Sequence, residues 1–414
     1  MQDNLLEKLL SEKYISRDTG LPIIVPIKKI LIEQDIAANA DSLISSINIG
    51  DNPILVSDKN TYGALAKKIE NITGINSIIL EGNVKPDKNF IELLHQKTKA
   101  YDSIIAVGSG TINDLCKFVS FKDKKPYMVW GTAASMNGYA SANASIISDG
   151  YKKSFSAHLP QAIFLDLDVL ATAPVRLTKS GFGDSICRPT AQADWLLSHL
   201  LLNTKYLEEP FLLLRNYEEQ LIKNAKKLPE RDKKTIELLA KTLIISGIGM
   251  YISEGSYPAS QGEHLIAHYM DMLHPNNSFH GEQIAVTTLE MAALQERIVS
   301  LDKIEISNNY PDKAYLISHF GKKTGEYCAS QLEEKACLIE NLNKKSPNWL
   351  NIKKKIQRIT LPGKKVFSAL KAAQAPLEPA DIGWNIQNFA DACQNAAFLR
   401  NRFTFLDMKK IIKF

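Results

Sequence analysis

No two cysteines in this 414-residue chain form a CxxC pair, and the five present (Cys116, Cys187, Cys328, Cys337 and Cys393) are far apart and odd in number. That pattern excludes a cysteine-built zinc module and a disulfide framework, and reads as reduced thiols in a reducing compartment. A strong charge imbalance is missing too: the net charge is +5, from 50 Lys and Arg against 45 Asp and Glu. Lysine groups such as Lys122-Asp-Lys-Lys125 and Lys353-Lys-Lys355 are isolated and lack interleaved aromatics. They read as solvated faces rather than a nucleic-acid footprint. The opening residues Met1 to Lys8 lack a charged-then-apolar signal pattern. No apolar run approaches the roughly 20 residues of a membrane helix. The expectation is a soluble, cytoplasmic protein with neither nucleic-acid nor membrane partners.

What is present is an ordinary globular composition, 45% apolar and 23% charged, at a length that suits two domains. Short apolar runs at Pro53–Ser57, Ser77–Leu80, Ser103–Val107, Tyr127–Trp130 and Ala162–Leu165 read as strands covered on both faces. Helical patterns lie between them, at Tyr62–Ile72, Asn89–Ala100 and Thr111–Ser120. Such alternation predicts a parallel α/β sheet over residues 1–175. From Ser180 onward the patterns are almost all helical, including one long helix over Asp312–Leu342. An all-α domain is therefore expected over 176–414, with Pro174 near the boundary and the two domains packed around a cleft.

Several segments carry possible chemistry. In Val107-Gly-Ser-Gly-Thr-Ile-Asn-Asp-Leu-Cys-Lys117 a strand ends, a Gly-x-Gly turn follows and a helix starts. Glycines allow close approach to a phosphate and the helix N-terminus favours an anion. The third glycine of the dinucleotide fingerprint is absent, since Asn113 stands there, so a plain strand-to-helix turn is the competing reading. The segment Gly131-Thr-Ala-Ala-Ser-Met-Asn-Gly-Tyr-Ala-Ser-Ala-Asn143 offers small hydroxyl and amide groups to a ligand, or simply forms a polar turn. Asp58, at a strand end, could accept from a ribose hydroxyl or cap the next helix.

Ser180-Gly-Phe-Gly-Asp184 sets a carboxylate between domains, and Ser256-Tyr-Pro-Ala-Ser-Gln-Gly-Glu-His-Leu-Ile-Ala-His268 puts His264 and His268 four residues apart on one helix face. His274 follows, then Phe279-His-Gly-Glu282 adds His280. Histidines with a carboxylate suit a borderline metal such as zinc. The zincin helix needs Glu directly after its first His, and Leu265 stands there. Glu263 is expected to point elsewhere on the helix. Spacing alone does not select among His264, His268, His274 and His280, and surface or capping roles stay open.

Taken in order, GSGTIND, GTAASMNGYAS, SGFGD, SYPASQGEH and FHGEQ resemble the glycerol-1-phosphate dehydrogenases, closest to their bacterial members, within the iron-alcohol-dehydrogenase, glycerol-dehydrogenase and dehydroquinate-synthase superfamily. The resemblance runs from about Asn52 to the Leu399–Asp407 tail. It implies a Rossmann-like N-terminal domain, a helical C-terminal domain and reduction of dihydroxyacetone phosphate to sn-glycerol 1-phosphate. The cofactors implied are NAD(H) or NADP(H) and one divalent metal, zinc or nickel, with iron as a further option. By position, Asp58 would meet the ribose; Gly108, Ser109, Gly110, Thr111, Ile112 and Asp114 would lie along the pyrophosphate; Thr132, Ala133, Ala134, Ser135 and Ser141 would contact the cofactor. Asp184, His264 and His280 would ligate the metal, with Asn137, Asp184 and His268 toward the substrate and His268 also among the catalytic groups. A homo-oligomer, dimer or larger, acting on a phosphorylated triose is expected. Asn137 stands where the family often has Asp, Tyr257 where it often has Arg, and Arg188 lies close after Asp184, so the phosphate contacts are rearranged or the substrate differs. A dehydrogenase of glycerol or another small polyol, and a catalytically silent nucleotide- or metabolite-binding protein, are the alternatives.

Overall fold

The computed structural model describes residues 5–148, 151–307, 309–345 and 347–413. Six strands form one parallel sheet: β1 (Lys29–Glu33), β2 (Pro53–Asp58), β3 (Ser77–Leu80), β4 (Ser103–Gly108), β5 (Tyr127–Gly131) and, after a hairpin, β8 (Ala162–Asp166). The hairpin strands are β6 (Asn143–Ser148) and β7 (Tyr151–Ser156), antiparallel and outside that sheet. The sheet order is β1-β8-β5-β4-β2-β3. β4, β5 and β8 are buried at every position, as their unbroken apolar sequences require.

The five expected strands are all present. β1 and the hairpin were not expected. β1 is an edge strand, and its Lys-Ile-Leu-Ile-Glu sequence has charged ends. The hairpin's burial alternates, and Phe155 packs on Phe118 with centroids 5.7 Å apart.

The chain divides into two compact units. The first holds residues as far as Ser185 together with Glu208–Gly255 and Ala372–Gln374; the second holds Ile186–Leu207, Ser256–Lys371 and the segment from Ala375. This division differs from the expected one at 175/176. The helices Glu209–Asn224 and Lys233–Ile252 pack on each other, and the latter packs on β1, on the helix Leu167–Thr172 and on the turn Gly138–Ala140. Helical character alone therefore did not assign them to the second unit.

The helix Lys233–Ile252 also corrects the reading that no run reaches membrane-spanning length. Its 20 residues meet that test by length and composition, and 72% of the window is buried inside the protein. Its apolar positions serve the first unit's packing.

The second unit is helical around a core that includes Ile266, Tyr269, Met270, Ile284, Phe398 and Phe405. The single helix expected over Asp312–Leu342 is two, Lys313–Phe320 and Lys322–Lys345. Gly321 at φ +76° breaks it, a backbone conformation that a helix interior does not contain. The helix Gly363–Ala372 was not foreseen.

Candidate functional site

In the first unit the glycine-rich turn and the small-residue loop leave the C-terminal ends of adjacent strands, with Gly108 paired to Gly131. Open α/β sheets bind ligands at that edge. Ser109 stands at the N-cap of the helix Gly110–Lys122, and its hydroxyl does not cap it. Thr111 and Ile112 lie in the helix's first turn. Gly108 has a packing reason as well as a ligand reason: a Cβ there would fall 2.6 Å from Ile112 Cβ.

The loop carrying Thr132, Ala133, Ala134 and Ser135 is buried and fastened from several sides. The Thr132 amide donates to the Gly108 carbonyl at 3.1 Å. The Tyr139 hydroxyl donates to the Ala133 carbonyl at 2.9 Å. Ser141 is buried, and its carbonyl accepts from Lys117 Nζ at 2.9 Å. Lys117 also donates to the carbonyls of Asn143, at 3.1 Å, and Gly138. This buried lysine was missed by the motif reading, although it is the last residue of the quoted motif. Burial holds it down to about 8, partly opposed by Asp114. Asp114 itself accepts from the Ser145 amide at 3.2 Å, tying the helix to the hairpin.

Asp58 ends β2, and its Oδ1 accepts from the Thr61 amide at 2.8 Å, with Thr61 returning a bond to the Asp58 amide. It caps the next helix, and that cap uses one oxygen of the carboxylate. Asp184 is buried in the last turn of the helix Val175–Ile186. The backbone amide of Asn137 donates to its Oδ2 at 3.0 Å, and the Asn137 side chain reaches Ser246 Oγ at 3.4 Å. Residue 137 therefore orients the carboxylate through its main chain, which Asn and Asp do equally.

In the second unit, His264 and His268 lie on the helix Gly262–Leu273, and His280 begins the helix His280–Ser300. Their ring centroids are 5.0 Å (264 to 280), 6.2 Å (264 to 268) and 6.4 Å (268 to 280) apart. His274 instead follows the helix end, its Nδ1 3.2 Å from Asn388 Nδ2.

Glu263 does not point away, as expected, but back to its neighbour: His264 Nδ1 is 2.9 Å from Glu263 Oε1. An ionised carboxylate only accepts, so Nδ1 is the donor to it and Nε2 faces away from Glu263. This is the pattern by which a carboxylate fixes a metal-binding imidazole. The donor set thus fits a borderline divalent cation.

Tyr257 is 41% exposed and stacks on Trp195 with centroids 5.5 Å apart. The Arg402 guanidinium lies over the Tyr257 ring, 4.7 Å from its centroid, and donates to Ser256 Oγ at 2.9 Å and to the Ser260 carbonyl. A cation thus stands beside Tyr257, supplied by the C-terminal tail. Arg188 is buried at the start of the helix Arg188–Leu202.

Residues 31–174 match the family model described as iron-containing alcohol dehydrogenase. Over 272 residues the chain is 32% identical to the glycerol-1-phosphate dehydrogenase [NAD(P)+] of Thermococcus sibiricus, covering 64% of this chain and 77% of that protein. It belongs to the glycerol-1-phosphate dehydrogenase family. The namesake enzyme of Methanoregula boonei is 30% identical over 285 residues, 68% of this chain and 78% of its own length. The fold is shared with the sulfoacetaldehyde reductase of Bifidobacterium kashiwanohense, solved in complex with NAD+, at a TM-score of 0.61 and 12% identity, covering 93% of this chain and 96% of that one.

Proposed function

We propose that this protein reduces dihydroxyacetone phosphate to sn-glycerol 1-phosphate with NADH or NADPH, and that Asp184, His264 and His280 hold the divalent metal the reaction needs. The observation that carries the reading is the trio of His264, His268 and His280 rings, with His264 fixed by Glu263, in a chain of this family. When bound, the metal supplies Lewis-acid stabilisation of charge on the substrate's carbonyl oxygen, and the nicotinamide supplies the hydride.

The chain's own residues then position and protect. The loop 132–135 and the turn 108–112 line the cofactor, with Ser141 behind them. His268 meets the phosphate or a hydroxyl of the substrate. Asp58 favours NAD, since a carboxylate at a strand end repels a 2′-phosphate. Zinc or nickel is the metal, the location cytoplasmic, and the assembly a homo-oligomer.

The test is NADH oxidation with dihydroxyacetone phosphate, dihydroxyacetone and glyceraldehyde 3-phosphate, after chelation and after return of Zn²⁺ or Ni²⁺. Turnover of dihydroxyacetone phosphate alone supports the reading. Turnover of dihydroxyacetone alone favours the polyol reading, to which Asn137 and Tyr257 point. No turnover with any metal sinks both.

A further inference from the structure

Behind His264 lies a buried layer of polar groups that no motif assigned. Glu263 is fully buried. Oε1 takes the Gln261 amide at 2.7 Å and His264 Nδ1 at 2.9 Å. Oε2 lies 3.3 Å from the Thr190 hydroxyl, whose single proton goes first to the Cys187 carbonyl at 2.6 Å. Asp194, equally buried, accepts from the Gly262 amide at 2.9 Å, the Phe405 amide at 3.0 Å and Gln295 Nε2 at 3.2 Å. Two carboxylates thus grip the first turn of the helix that carries His264. All these groups belong to the second unit.

The arrangement is more expensive than a helix start requires. A neutral acceptor would satisfy the same amides, whereas burying a carboxylate costs several kcal/mol unless its charge is balanced. Among the described residues, neither Asp194 nor Glu263 forms an ion pair with Lys or Arg; the single ion-pair geometry is Glu263 with His264. Burial, and then the Glu263 charge, push Asp194 well up from the ordinary carboxylate value, which shows the electrostatic load. The Glu263 charge favours the protonated form of the buried Arg402, so what sets Glu263 apart is its direct contact with His264.

We propose that Glu263 is the positioning residue of the metal centre: its buried carboxylate engages His264 Nδ1 and so fixes the ring with Nε2 turned to the metal, while Asp194 anchors the same helix turn through the Gly262 amide. The proposal rests on the metal reading above. It predicts an effect on metal binding without one on the metal-free fold. Glu263→Gln weakens Zn²⁺ and Co²⁺ binding by about 10–100-fold, the usual loss for such a partner. The metal-free variant melts no lower than the metal-free wild type, because the isosteric Gln keeps an acceptor for the Gln261 amide.

The experiment measures Zn²⁺ affinity by chelator competition, the visible spectrum of the Co²⁺ form, and the melting temperature with and without metal. Weaker binding, a shifted Co²⁺ spectrum and an undiminished metal-free melting temperature support the assignment. Unchanged affinity together with a lowered metal-free melting temperature overturns it and makes Glu263 a structural cap. Should Glu263→Gln fail to fold, Glu263→Asp, whose shorter side chain alters the contact with His264 Nδ1, takes its place: affinity falling a few-fold supports the assignment and unchanged affinity overturns it. A wild-type protein that binds neither ion sinks the metal reading and this proposal together, whereas binding that is equally tight in wild type and variant sinks this proposal alone.

Discussion

Lys117 gives the first unit an internal clamp. One ammonium group reaches the carbonyls of Gly138, Ser141 and Asn143, and so fixes the turn beyond the loop 132–135 to the helix of the glycine-rich motif. Lys117→Met leaves buried acceptors without a donor, at about 1–3 kcal/mol for each one unsatisfied. The pH dependence has a definite sign. Burial holds Lys117 down to about 8 in the folded protein, against 10.5 for an unhindered lysine. Between those values the unfolded chain binds the extra proton, so the lysine's contribution to stability rises with pH. The stability gap between wild type and Lys117→Met should therefore widen from about pH 7 to about pH 10 in urea titrations. A gap that stays flat refutes the assignment of that lowered value. Asp184 poses a separate residue-level test. Asp184→Asn keeps an acceptor for the Asn137 amide but removes the charge, so bound metal and dihydroxyacetone phosphate reduction should disappear together while the fold persists. Metal content measured against turnover checks this, and an active variant refutes the ligand assignment.

At the scale of elements, the helix Val175–Ile186 shows what the sequence pattern hid. Gly-x-Gly before Asp184 looks like a turn, because glycine is a poor helix residue. The helix tolerates it because a Cβ on Gly181 would lie 1.9 Å from the Ala134 carbonyl oxygen. The glycine lets the helix lie directly on the loop 132–135, one turn before Asp184. Gly181→Ala should destabilise the protein by about 1–3 kcal/mol or more, the usual cost of overpacking. It should also weaken NADH binding, since either the helix or the loop must move. Calorimetry and fluorescence titration measure the two, and an unperturbed variant would show that the approach is looser than drawn. Four of the five legible strands, β2, β4, β5 and β8, are apolar runs covered on both faces, so burial dictates their composition; β3 was legible by its apolar run although it is an edge strand with Ile79 exposed, not covered on both faces as expected. β1 was illegible because an edge strand can keep Lys29 and Glu33, and Glu263 was misjudged because helix-face geometry ignores a carboxylate that folds back on its neighbour.

At the scale of the whole chain, periodicity could say that residues 209–252 are helical but not which core they serve. That depends on partners distant in sequence, such as β1 and the turn at Gly138–Ala140. The histidine cluster was legible as a group, because all four of its members fall within 17 residues. Which of them converge needed the fold, which turns His274 toward Asn388. A bound metal should then register in global stability. A ligand that binds only the folded state adds about 2.7 kcal/mol at a concentration one hundred times its dissociation constant. Chelation should lower the melting temperature and abolish NADH oxidation, and Zn²⁺ or Ni²⁺ should restore both. In Asp184→Asn the metal-dependent rise should vanish while the rise caused by NADH remains, because the cofactor loop and the glycine-rich turn are untouched. Thermal melts of both proteins, with each ligand alone, separate these terms. A metal-dependent rise that survives in Asp184→Asn would place the stabilising ion somewhere other than on the proposed ligands.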